Sequence, residues 1–163
     1  MKSMSLDLMC KSFAKKFSSV QHIETFLAAK YIDDGCAIVE NIRMPLLILD
    51  VRPDEEYNVS HIAGSIRIDP NDDGAQESLS IIQNRVEEDG SAFVIAYCSV
   101  GYRSSQLIEK LIPLVTDAVI LRNMQGSLFK WANESKEMVD SNNHTTKQCH
   151  PYNAFWGSLL INN

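Results

Sequence analysis

Cys98 stands at the end of the apolar run FVIAY and opens a small-residue turn, SVGYRSS, that leads into an amphipathic stretch. Residue types in that order suit a nucleophilic sulfur. A curved loop aims successive backbone N–H groups inward, and a helix beginning near Arg103 adds its positive end to the same field. Free cysteine titrates at about 8.5, and helix termini or cationic neighbours lower that enough to supply an abundant thiolate near neutral pH. Arg103 is the sole charged residue between Ser91 and Ile108, so the sequence predicts no nearby carboxylate to offset it. Its planar donor array serves equally well to stabilise the loop backbone. Gly101 permits a tight or left-handed turn, and Ser99, Ser104 and Ser105 offer hydroxyl donors or helix caps. No histidine base adjoins the cysteine, and His61 reads more simply as a loop or core residue. On chemistry alone, Cys98 is as readily a buried structural cysteine as a reactive one.

These residues need a scaffold, and the alternation of periods supplies one. Residues 22–30 carry Ile23, Phe26 and Leu27 at helical spacing, with Ser18 or Ser19 available as caps. Cys36 to Val39 reads as a short strand, and Leu46 to Asp50, entered at Pro45, as a strand buried on both faces. A helical turn over Asp54 to Tyr57 and a strand over Ser65 to Ile68 follow, before a Pro-Asn-Asp-Asp-Gly break. Leu79, Ile82 and Val86 predict a helix ending near Gly90, and Phe93 to Tyr97 is the central-strand candidate. Beyond the cysteine loop come a helix from Arg103 to Ile112, a strand from Ala118 to Leu121 and a helix over Leu128 to Ala132. The polar run Ser141 to Gln148 reads as a loop. Repeated strand-helix crossovers predict an α/β fold, a mostly parallel sheet flanked by helices. In such sheets groups just beyond the carboxyl ends of strands converge at a crevice, which again points to the segment after Tyr97.

The chain's 163 residues fit one domain. A net charge of −6 opposes broad attraction to nucleic acid or anionic membranes. No apolar run approaches the roughly 20 residues of a membrane span, and no secretory signal is predicted at the start. Cys10, Cys36, Cys98 and Cys149 form no close thiolate cluster, so reduced thiols in the cytoplasm are the simplest expectation. Adjacent Cys149 and His150 lack the two further ligands that structural zinc requires, and no metal is predicted.

Three segments in order carry a family resemblance. LDVRPDEEYNVSHIAGSIRI, with Asp50, Arg52, Glu56, His61, Ile62 and Gly64, is followed by VIAYCSVGYRSS and then by NMQGSLFKWANE, with Gly126 and Trp131. Together they resemble the single-domain rhodanese-like sulfurtransferases, over roughly residues 19–139. The resemblance implies the rhodanese-like α/β fold and makes Cys98 the carrier of transferable sulfur. Ser99, Val100, Gly101, Tyr102 and Arg103 then form the anion-cradling loop, and Asp50, Arg52, Glu56 and His61 give structural support. It places Trp131 in the core rather than against a cofactor. Ser60 replaces a common glycine before the histidine, and Gln125 is read as replacing one glycine of a paired-glycine turn.

Cys98-x4-Arg103 resembles the shorter sulfurtransferase loop, whereas phosphatases and arsenate reductases on the related fold generally carry one more residue. The implied activity moves sulfane sulfur from thiosulfate or a related donor, through a cysteine persulfide, to cyanide, a thiol or a protein acceptor, with no cofactor. A noncatalytic rhodanese-like binding module and a phosphatase-like enzyme are the alternatives. Residues 1–18 form an N-terminal extension in which Phe13 and Phe17 are expected to pack a small helix on the domain. Residues 140–163, with Phe155 and Trp156, are expected to dock on the body, an interface for a homodimer or another partner being the alternative.

Overall fold

The computed structural model describes residues 2–71 and 73–161. Helix α1 (Lys2–Lys16) leads into β1 (His22–Ile23), α2 (Thr25–Asp34), β2 (Cys36–Val39) and β3 (Ile42–Asp50). There follow α3 (Asp54–Val59), β4 (Ile66–Arg67), α4 (Gly74–Asp89), β5 (Ala92–Tyr97) and α5 (Tyr102–Leu111), the last running on into a 3-10 turn over Ile112–Leu114. The chain ends with β6 (Val119–Met124), α6 (Ser127–Asn133), the pair β7 (Met138–Val139) and β8 (Thr145–Thr146), and α7 (Ala154–Gly157).

The main sheet runs β1-β6-β5-β3-β2, with β4 also paired to β3. Every pairing in it is parallel except β2 against β3. This is the predicted mostly parallel sheet flanked by helices. All six residues of β5 are buried, as a strand covered on both faces requires. Its side chains alternate between two cores. Phe93, Ile95 and Tyr97 join Tyr31 of α2 and Leu128 and Phe129 of α6, while Val94, Ala96 and then Cys98 join Ile82 of α4 and Ile108 and Leu111 of α5. Among the described residues no helix is long and apolar enough to cross a membrane.

Three departures from the sequence expectations bear on the site. His22 and Ile23 belong to a strand, not to the helix predicted over 22–30, because they pair in parallel with Asn123 and Met124. Glu24, in extended conformation, ends that strand, so the serines at 18 and 19 cap nothing in α2. The apolar spacing misled: Phe26 is 76% exposed, and Thr25, Ala28 and Tyr31 form the buried face. Pro45 lies within β3 rather than at its entrance, opposite Cys36 in a hairpin and one residue before pairing with β5 begins. The polar run after Ser141 is not wholly loop, because Thr145 and Thr146 turn back to pair with Val139 and Met138.

Candidate active site

The register of β3 and β5 sets the site. Asp50 and Tyr97 are opposite one another, and Val51 N–H reaches Tyr97 O at 2.8 Å, so the segments leaving the two strands emerge side by side. One carries Arg52, Glu56 and His61, and the other carries Cys98 to Arg103. Gly101, at φ 108°, turns the second segment into α5, a left-handed geometry that a side chain would strain.

Within this turn Gly101 N–H donates to Cys98 Sγ at 3.1 Å. The loop is also gripped from behind by the start of α6: Cys98 N–H donates to Ser127 Oγ at 3.2 Å, Leu128 N–H to Cys98 O at 3.1 Å, and Phe129 N–H to Ser99 O at 3.0 Å. Ser104 Oγ lies 3.5 Å from the sulfur. Cys98 is only 1% exposed. Burial opposes its ionisation most strongly, yet the Arg103 charge and hydrogen bonds from Ser104 and Gly101 outweigh it and hold the thiol below its ordinary value. A sulfur anion here is held by donors fixed in place before it forms.

Arg103 is not isolated in space. Its Nη1 donates to Glu56 Oε2 at 2.7 Å and its Nη2 to Oε1 at 2.9 Å, while Nη2 also reaches Ser99 Oγ at 2.9 Å. Ser99 Oγ in turn donates to Glu56 Oε1 at 2.7 Å. The expectation that no carboxylate offsets Arg103 is therefore corrected: α3 delivers one from 47 residues away in sequence. Burial pushes the Glu56 carboxyl upward, but the Arg103 and Ser99 hydrogen bonds and the Arg52 charge prevail and hold it below its usual range.

The other expected residues separate into a brace and an outer contact. Asp50 and Arg52, both fully buried, form a two-bond ion pair at 2.7 and 2.6 Å, and Arg52 Nη2 also donates to Ser60 O at 2.7 Å. His61 stacks on Tyr57 with ring centroids 3.8 Å apart, and its backbone pairs with Val139. Val100 packs into the core. Tyr102 turns its side chain to the end of α1 and the turn after it, where Lys16 Nζ donates to its hydroxyl at 2.8 Å and Phe13 and Phe17 meet its ring edge to face.

Sequence reasoning missed several participants. Asn123 Oδ1 accepts from Ser104 Oγ at 2.6 Å, and Tyr152 lies over the Arg103 guanidinium at 4.8 Å. Ser127, which accepts the Cys98 N–H, is a third. Positive φ falls on Gly126 and Ser127, at 75° and 50°, and not on Gln125, so the side chain standing in the left-handed pair is Ser127. The signal was present in the order Gly-Ser, but only the backbone angles assign it. Cys149 is also buried, and that burial pushes its thiol up to about 12 against the pull of Arg52. Among the described residues no group of three His, Cys, Asp or Glu side chains is placed to hold a metal ion.

This arrangement has relatives. A model of the rhodanese-like domain matches residues 29–134. The chain belongs to the rhodanese-like domain family. Among solved structures it is similar to Saccharomyces cerevisiae Ygr203w, described as a homolog of single-domain rhodanese and of the Cdc25 phosphatase catalytic domain, with TM-score 0.60 and 16% identity over 71% of this chain and 81% of that one. A thiosulfate sulfurtransferase from Pseudomonas aeruginosa matches with TM-score 0.56 and 17% identity, over 89% of this chain but 24% of that one. A Rhodopseudomonas palustris protein described as a possible tyrosine phosphatase matches with TM-score 0.55 and 17% identity, over 78% of this chain and 91% of that one. At such identities the likeness is one of fold. No curated protein sequence gives a significant match. Structures of this fold thus include one described as a thiosulfate sulfurtransferase and one described as a possible tyrosine phosphatase.

Proposed function

We propose that this rhodanese-like chain is a sulfurtransferase that carries sulfane sulfur on Cys98. The observation that supports this best is the sulfur itself, buried in a tight turn, accepting the Gly101 N–H, and held below its ordinary pKa by Arg103. In the first step the Cys98 thiolate attacks the outer sulfur of thiosulfate or a related donor. A new S–S bond forms, the donor's own S–S bond breaks, and its electron pair leaves with sulfite. In the second step cyanide, a thiolate or a protein thiolate attacks the terminal sulfur, and the pair of the breaking bond returns to Cys98. Charge balances in both steps and no redox partner is required. The loop donors stabilise anionic sulfur without reorganising, the arrangement by which preorganised donors accelerate reactions.

The phosphatase reading draws support from the described relatives, but the Cys98-x4-Arg103 spacing resembles the shorter sulfurtransferase loop. Glu56 and Ser99 also occupy part of the Arg103 donor set that a phosphoryl group would use. A binding module without catalysis has no use for a cysteine whose ionisation its loop favours. Intact-protein mass measurement after thiosulfate treatment tests the proposal: it expects an adduct of about 32 Da, the mass of one sulfur atom, located on Cys98 and discharged by cyanide. Absence of the adduct together with turnover of p-nitrophenyl phosphate would overturn it.

A further inference from the structure

A line of polar contacts runs beneath the cysteine loop to β1. Cys98 Sγ is 3.5 Å from Ser104 Oγ, Ser104 Oγ is 2.6 Å from Asn123 Oδ1, and Asn123 Nδ2 is 3.1 Å from His22 Nδ1. Ser104 and Asn123 are buried, and Cys10 and Phe13 of α1 line the recess that holds His22, Gly101 and Asn123. Burial keeps the His22 ring below its ordinary pKa, so it carries a single N–H and must place it on one nitrogen.

The hydroxyl of Ser104 also has one hydrogen. With the Asn123 oxygen 2.6 Å away, that hydrogen goes to the amide and the more distant sulfur receives none. The same orientation makes His22 Nδ1 an acceptor and leaves the ring hydrogen on Nε2, a buried atom without a partner among the described residues. A buried N–H with no acceptor is costly. Turning the Asn123 amide by half a revolution exchanges its oxygen and nitrogen, and the 2.6 Å contact with Ser104 lengthens slightly to an N–H···O distance. The amide nitrogen then donates to Ser104 Oγ, its oxygen accepts from His22 Nδ1–H, and Nε2 keeps only a lone pair. The Ser104 hydrogen is released to the sulfur.

We infer that His22, acting through the Asn123 amide, aims the Ser104 hydroxyl at Cys98, which makes His22 and Asn123 positioning residues of the site. This rests on the reading of Cys98 as the sulfur carrier. His22 itself is half-buried, but its Nε2 is sealed from solvent and has no partner among the described residues, which gives the line a fixed end.

The test is the pH profile of Cys98 alkylation by iodoacetamide, followed by peptide mass in the full chain, with a thermal melt of each variant. Asn123→Asp presents only acceptors to Ser104 and is expected to slow alkylation at pH 7 by about tenfold, the effect of one pKa unit on the thiolate fraction. His22→Ala is expected to slow it about threefold, without placing a charge in the core. In a Ser104→Ala background the His22→Ala effect is expected to vanish and the Asn123→Asp effect to shrink to that of its charge alone, and both are expected to persist in full with Ser104→Thr, which keeps the hydroxyl. Slowing that is equal with and without the hydroxyl, or no slowing in either variant, overturns the inference. Thiosulfate loading of the unaltered chain is read in parallel. Hydroxyl-dependent coupling without loading overturns the sulfur-carrier reading alone, and loading without coupling overturns the positioning line alone.

Discussion

Arg103 and Glu56 meet through two hydrogen bonds, Nη1 to Oε2 at 2.7 Å and Nη2 to Oε1 at 2.9 Å, with the Glu56 side chain 3% exposed and that of Arg103 19% exposed. The pair ties the helix after β3 to the loop after β5. It also sets how much of the Arg103 charge reaches the sulfur. Glu56→Gln keeps the shape and removes the charge. It is expected to raise Cys98 alkylation at pH 7 while lowering stability by about 2 kcal/mol, less than for a fully buried pair because Arg103 retains some solvent. Denaturant melts and labelling rates check the two effects separately, and slower labelling would contradict the account.

The same carboxylate gives the protein an acid-sensitive component of stability. Its native pKa lies below the ordinary 4.5, so the unfolded chain binds the proton first as pH falls. The contribution is therefore complete above about 4.5 and is lost as pH drops through the lower native value. Melting temperature measured between pH 6 and pH 3 is expected to fall more steeply for the unaltered protein than for Glu56→Gln.

Arg103→Gln isolates the electrostatic support of the thiol. Burial is the largest influence on Cys98 and acts to raise its pKa. Without the guanidinium, that influence is opposed only by the loop hydrogen bonds, and the midpoint of the alkylation profile is expected to move up by about one unit or more, a loss of about tenfold in rate at neutral pH. A midpoint that does not move would show that the hydrogen bonds alone hold the anion.

Ser127 combines a useful hydroxyl with an unfavourable backbone angle, φ 50°. Ser127→Ala removes the acceptor of the Cys98 N–H and keeps the angle, for an expected loss of about 1–2 kcal/mol. Ser127→Gly removes the same acceptor but relieves the left-handed strain, and is expected to be more stable than Ser127→Ala by about 1 kcal/mol. Chemical denaturation of the two variants decides the order.

Phe17 is 4% exposed and meets Tyr102 edge to face at 5.2 Å. Phe17→Ala is expected to cost about 3 kcal/mol, in the range of large buried aromatic deletions. Phe26→Ala, at a side chain 76% exposed, is expected to change stability by less than about 0.5 kcal/mol. Equal effects would mean that the turn after α1 does not support the loop.

The contiguous parts of the site were legible. FVIAY, the small-residue turn and the helix after it lie in one stretch, so their burial, curvature and electrostatic sense follow from local pattern. The Glu56–Arg103 pair was not, because it depends on the parallel register that places α3 beside the loop, and register joins segments that local spacing never compares. His22 was assigned to a helix because two residues of strand are too short to show alternation, and the partners that decide the matter, Asn123 and Met124, come a hundred residues later. Phe26 shows the reverse error: a helical apolar spacing was real, yet the face it marked looks outward.

The opposition of Asp50 and Tyr97 across β3 and β5 has a mechanical corollary. Both strands reach their last paired residue at one level of the sheet, so the sulfur and the ion pair that steadies it are staged like two rulers sharing a zero mark. Lengthening either strand by a residue would slide one scale against the other and carry the whole offset to Cys98.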